Sequence, residues 1–238
     1  MSSKNMPTEK LIELNKVGLW YPRRIRFFKR ECHWVLRDIS FDVLKGETVG
    51  ILGRNGAGKS TLLRLLANII SPDSGTITSK PSLNVVLLSI QAGFVFSLSG
   101  RENIYISGMT LGLSKTQIDK IFNKIVEFSE LEDAINQPVG SYSTGMRARL
   151  GFSVAIQVDP DVLLVDEVIS VGDEGFRKKA SKFIQKRVAD KKTTVVVTHD
   201  SQLVRELCTK ALWLDKGTIR YYGDTDSTVS KYLANNSS

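Results

Sequence analysis

Residues 53 to 61 read Gly53-Arg54-Asn55-Gly56-Ala57-Gly58-Lys59-Ser60-Thr61. They satisfy the pattern G-x-x-x-x-G-K-[ST], with Gly53, Gly58, Lys59 and Ser60 in the defining places. Ahead of them Thr48-Val49-Gly50-Ile51-Leu52 suits a buried strand, and behind them Leu62, Leu63, Leu65, Leu66, Ile69 and Ile70 repeat at helical spacing. Strand, glycine loop and helix thus come in the order that a phosphate-binding loop requires. Glycines let backbone N–H groups close around a polyphosphate, and the amino end of the next helix adds partial positive charge. Lys59 is spaced to reach the β- and γ-phosphates, and the Ser60 hydroxyl to enter a Mg2+ shell.

Working outward, a chain of 238 residues predicts one large domain with subdomains. Charged residues at 24% and hydrophobic ones at 42% are ordinary for a globular protein. The longest mostly apolar stretch, residues 83–98, is interrupted by Asn84, Ser89, Gln91, Gly93 and Ser97, so no transmembrane helix is expected. The first ten residues lack an apolar signal core, and no secretory targeting is expected. Cys32 and Cys208 provide neither metal-ligand spacing nor a disulfide framework. The formal charge of +8 points to an anionic neighbour: a nucleotide, a nucleic acid or a membrane leaflet.

In chain order, residues 11–19 read as a strand leading to Tyr21, an aromatic ring able to stack on a base. Next comes a basic, aromatic segment with Arg23, Arg24, Arg26, Lys29 and Arg30 around Phe27 and Phe28, which suits either a membrane surface or a solvated hairpin. Residues 35–43 read as a strand, 76–78 as an edge strand and 83–90 as a buried strand with Gln91 at its end. Residues 101–131 read as helical, with Ser114 and Gln117 at capping-box spacing. Ser143 and Gly145 precede a helix over about 146–157, as an N-cap or a phosphate contact.

Val162-Leu163-Leu164-Val165 is an apolar strand ending in Asp166-Glu167. Asp166 suits a Mg2+ shell and Glu167 the positioning or deprotonation of an attacking water. A basic helix follows over 174–189, then a strand over 193–197 with Thr198-His199-Asp200 beyond its carboxyl end. His199 is placed there to contact the γ-phosphate or the water, whereas His33 reads as structural. A hairpin over 211–222 and a short helix close the chain.

This ordered set resembles the ATP-binding subunit of ABC transporters over nearly the whole chain. The resemblance implies an α/β fold: an ABC-type P-loop NTPase with a RecA-like core sheet, an antiparallel β subdomain and a helical subdomain inserted at about 94–158. It places Tyr21 on adenine, residues 53–61 as the Walker A loop, Gln91 in the Q-loop beside the metal, Asp166 and Glu167 at the Walker B strand, and His199 as the switch histidine. Ser170-Val171-Gly172-Asp173 falls at the D-loop. The signature loop reads Tyr142-Ser143-Thr144-Gly145-Met146 in place of LSGGQ, keeping the phosphate-contacting Ser143 and Gly145.

YSTGMRARL, DEVISVGDEGFRKK and SGRENI look like the branch that exports O-antigen, capsule or teichoic acid across the bacterial inner membrane. The resemblance then implies ATP and Mg2+, a homodimer sandwiching two nucleotides, a pair of membrane permease subunits, and a peripheral place on the cytoplasmic face of the inner membrane. An exporter of another cargo, such as a drug or small lipid, is the second reading. A nucleic-acid-binding module is the third, and no nucleic acid is expected as a partner.

Overall fold

The computed structural model describes residues 9–26, 29–88, 93–166 and 173–236. The chain divides into two compact units. The first comprises residues 1–87, 161–166 and 184–238, and the second residues 88–160 and 167–183.

The first unit carries two sheets. β1 (Lys10–Arg26), β2 (Lys29–Leu44) and β4 (Ser74–Ser79) form an antiparallel sheet in the order β2-β1-β4. β3 (Thr48–Leu52), β5 (Val85–Leu88), β6 (Val162–Asp166), β7 (Thr193–Val197), β8 (Lys210–Asp215) and β9 (Thr218–Asp224) form a second sheet, ordered β5-β6-β7-β3-β8-β9. Within it β6, β7, β3 and β8 run parallel, and β9 returns antiparallel through a hairpin.

β3 and β7 are buried along their whole length, which is why both read as unbroken apolar or β-branched runs rather than alternating ones. Their side chains still alternate between faces. Val49 and Ile51 join a core shared with the antiparallel sheet and with Leu62, Leu63, Leu65 and Leu66 of α1 (Lys59–Leu66). Leu52 points to the other face, packed with Val204 of α6 (Ser201–Leu207) and with Val229 and Tyr232 of α7 (Thr225–Asn236). Each buried leucine of α1 contributes about 1.5–3 kcal/mol of transfer free energy.

Gly50 sits where a Cβ would come within 2.7 Å of Val204 Cγ1 and 2.9 Å of Cys208 Sγ. Burial on that face pushes the Cys208 thiol up to about 12, whereas Cys32 is exposed. At pH 8 a maleimide is therefore expected to label one thiol per native chain and two after denaturation. Rapid labelling of both in the native protein would contradict this packing.

In the second unit α2 (Gly100–Thr110), α3 (Lys115–Ser129) and α4 (Thr144–Ala155) enclose Ile104, Ile118, Phe122, Ile125, Leu150 and Val154. α5 (Glu174–Ala189) starts in this unit and ends in the first. Its Phe176 meets Phe152 of α4 edge-on, with ring centroids 5.4 Å apart.

The stretch read as helical over 101–131 consists of two helices. Gly112, at φ +90°, lets the chain turn between them, and the reciprocal capping box of Ser114 and Gln117 starts α3. α4 begins at Thr144 rather than at about 146, because Ser143 caps it. β1 and β2 both run further than the apolar pattern predicts, since backbone pairing continues to the Arg26–Lys29 rung. Phe27 and Phe28 lie outside the described residues, as do the side chains of residues 23–31.

Candidate functional site

The site is built on the carboxyl edge of the parallel strands. Asp166 pairs with Val197, and Val197 with Ile51, so one rung crosses β6, β7 and β3. Strands lie about 4.8 Å apart, which puts this rung roughly 10 Å across. Immediately beyond it the chain leaves β3 into Gly53, ends β6 at the half-buried Asp166 and leaves β7 into Thr198-His199. Residues more than a hundred apart in sequence thus emerge from one sheet edge, where α/β proteins bind ligands.

The loop between β3 and α1 is shaped by close approaches. Gly58 has φ +103°, and a Cβ there would come within 2.8 Å of Leu36 Cδ2 and 3.0 Å of the Val35 carbonyl oxygen. The Ala57 carbonyl accepts a hydrogen bond from Gly217 N at 3.1 Å, while Arg37 N donates to Gly217 O at 2.7 Å. The β8–β9 turn therefore ties β2 to the loop. The sequence marks Gly217 only as a turn residue, which its φ of +77° bears out; its distant partners leave no local signal.

α1 opens at Gly58 with no side-chain cap and no acid in its first turn, so its N-terminal charge is left for an external anion. Lys59 is buried, and its Nζ donates to the carbonyls of Gly53 at 2.8 Å and Arg54 at 3.2 Å. Those bonds hold the ammonium against its own loop. Ser60 is exposed one residue further on, with Thr61 half-buried; Arg54, Asn55 and Gly56 form the exposed crest.

His199 is exposed, and its backbone neighbours fix its position. Thr198 is buried and its hydroxyl accepts from Asp200 N at 3.0 Å, while the Asp200 carboxylate caps α6 through Gln202 N and Leu203 N. Asp200 thus fixes the turn that carries His199; the sequence reading passes over it, although an acid just ahead of a helix is a capping signal. Among the described residues no cluster of three or more His, Cys, Asp or Glu forms a metal cage. Ser60 and Asp166 suit Mg2+ all the same, since that ion keeps most of its waters and takes one or two protein oxygens beside phosphate.

Tyr21 is 44% exposed and sits opposite His33, which is also exposed. Along the same ladder, the Leu19–Leu36 rung precedes the Trp20–Trp34 rung, with a bulge between them. Leu36 packs at Gly58, so the strand bearing Tyr21 is registered on the phosphate loop.

In the second unit Tyr142 is buried, donates its hydroxyl proton to Ala134 O at 2.6 Å, and has its phenol held above the usual range by that burial. The next residue, Ser143, is exposed, and its Oγ accepts from Met146 N at 3.1 Å. Gly145 follows in the first turn of α4. One motif residue anchors and the next presents. Asp173 accepts from Phe176 N at 2.9 Å, and this backbone donor holds its carboxyl below the usual range. Gln91, Glu167, Ser170, Val171 and Gly172 lie outside the described residues.

A glycine loop feeding an uncapped helix, with a buried lysine and an acidic neighbouring strand end, defines a P-loop nucleotide-binding protein. The family model described as ABC transporter matches residues 36–170, and the chain belongs to that family. It is 41% identical over 233 residues to the teichoic acids export ATP-binding protein TagH of Bacillus cereus, covering 97% of this chain and 40% of that protein. It is 39% identical over 215 residues to the O-antigen export system ATP-binding protein RfbB of Klebsiella pneumoniae, covering 90% and 87%. The chain thus spans less than half the length of that TagH. Its fold matches the dimeric post-hydrolysis structure of the ATP-binding cassette MJ0796 bound to ADP and Pi, with a TM-score of 0.76 at 22% identity, covering 90% and 99%.

Proposed function

We propose that this chain is the ATP-hydrolysing subunit of a bacterial exporter that moves a lipid-linked polysaccharide, such as an O-antigen, capsule or teichoic acid, across the inner membrane. The rung joining Asp166, Val197 and Ile51 carries the catalytic half of this reading, because it brings three separate chemistries to one edge. The polysaccharide half is supported by relatives named for O-antigen and teichoic acid export, at 39% and 41% identity.

In this reading Tyr21 stacks on adenine, the N–H groups of residues 53–61 cradle the phosphates, and Lys59 bridges the β- and γ-phosphates. Ser60, Asp166 and Gln91 hold Mg2+, which when bound neutralises charge on the phosphoryl group. Glu167 orients or deprotonates the water, and His199 contacts the γ-phosphate or that water. Ser143 and Gly145 complete the site of a second copy, so two chains enclose two MgATP head to tail. Closure and reopening drive a pair of permease subunits, with the cassette peripheral on the cytoplasmic face. No helix among the described residues is long and apolar enough to cross a membrane.

Glu167→Gln is expected to retain MgATP binding, to lower turnover at least about 100-fold and to trap a dimer visible by size-exclusion chromatography. Undiminished hydrolysis would remove Glu167 from this role. Inactivating the gene is expected to deplete surface polysaccharide; a normal surface with intact ATPase activity would favour a different cargo.

A further inference from the structure

β1 and β2 carry two aromatic rungs in succession, Trp20 opposite Trp34 and then Tyr21 opposite His33, in a ladder that keeps regular register from there to the Arg24–Arg30 rung. Directly opposed residues of an antiparallel pair point to the same face, and successive rungs to opposite faces. Trp34 is half-buried, and its Cζ3 lies 2.8 Å from where a Cβ on Gly18 would stand. The tryptophan face is thus packed against the protein's own backbone. Tyr21 and His33 point the other way, and both are exposed.

Cβ atoms on directly opposed residues are about 4.5–5.5 Å apart, so the phenol and the imidazole stand side by side on one bare face. Two exposed rings gain little from the protein's own core; what they offer is a flat surface for another ring system. Stacking tolerates any base, but its gain follows the area of overlap, and a purine has two fused rings where a pyrimidine has one. The location fits a base as well. Val35 is two residues, about 7 Å, along β2 from His33, and its carbonyl oxygen lies 3.0 Å from where a Cβ on Gly58 would stand. The ring pair is thereby held within a nucleoside's reach of the phosphate loop.

We propose, resting on the reading that Tyr21 stacks on the base of the bound nucleotide, that His33 is the second ring of that platform. The imidazole carries the part of a purine that overhangs the phenol, and so sets a preference for purine over pyrimidine nucleotides. The sequence reads His33 as structural, because only the pairing of β1 with β2 brings it opposite Tyr21.

The test is displacement of a ribose-labelled fluorescent ADP from the full chain by ADP, GDP, CDP and UDP with Mg2+ present, diphosphates being chosen because they carry no γ-phosphate to hydrolyse. His33→Ala is expected to weaken ADP and GDP about fivefold and CDP and UDP less than about twofold, with an unchanged melting temperature. His33→Phe is expected to keep the purine preference, since stacking needs a ring and not an imidazole. Equal losses on all four nucleotides, unaltered ADP binding in His33→Ala, or a phenylalanine variant as weak as the alanine one would each overturn the proposal. Tyr21→Ala separates it from the reading beneath, because that variant is expected to weaken all four nucleotides. If it leaves ADP affinity unchanged, the stacking reading itself fails; if it weakens binding while His33→Ala is inert, only the role of His33 is lost.

Discussion

Replacing Lys59 by alanine is expected to lower steady-state ATP turnover on the order of 1000-fold and to weaken MgATP binding, while the protein still folds. The transferred phosphoryl group spreads negative charge over its oxygens, and catalysis consists largely of positioning and neutralising that charge. Lys59 is buried, so its ammonium acts at a lower local dielectric than a surface lysine would. Alanine also removes the bonds to the Gly53 and Arg54 carbonyls, a loss of about 1–3 kcal/mol that a protein with the usual stability of roughly 5–15 kcal/mol withstands. Arginine is no rescue, because its guanidinium is larger and prefers a planar fork to a point contact. Nucleotide titration and a phosphate-release assay measure the two effects; turnover within about tenfold of the unsubstituted protein would take Lys59 out of the mechanism.

Phe152→Ala is expected to destabilise the protein by about 3–5 kcal/mol, read as a fall in the urea midpoint. Phe152 is completely buried on α4 and touches three other rings: Phe128 stacked at 6.0 Å, Phe176 edge-on at 5.4 Å and Phe183 edge-on at 6.1 Å. Deleting it leaves a cavity that ring partners on several elements cannot close together, since interiors are packed to near crystal density. Leucine fills most of the volume and should lose far less, about 1.5 kcal/mol or under. An alanine variant with an unchanged midpoint would show that this aromatic cluster is not a core.

Much of this architecture was legible because the deciding signals are local. The phosphate loop is a run of consecutive residues, β3 and β7 are continuous apolar or β-branched runs, and the Ser114–Gln117 box lies within one helical turn. Boundaries were less legible where local signals were silent or conflicted. Leu111 and Leu113 carry apolar residues across Gly112, so composition alone does not mark where α2 stops; both leucines pack on the same core as α2 and α3. β1 and β2 outrun their apolar residues because ladder hydrogen bonds join backbones whatever side chains they bear.

By itself the sequence settled what the phosphate loop can hold and where most elements lie, because anion binding by glycine N–H groups and helix capping operate over a few neighbouring residues. Only the tertiary structure decided that β7 stands between β6 and β3, bringing Asp166 and His199 to the edge where Gly53 begins, and that Gly217 and Leu36 brace the loop from distant strands. Strand order and such close approaches follow from how all the apolar faces are buried at once, a collective property that no short window of residues contains.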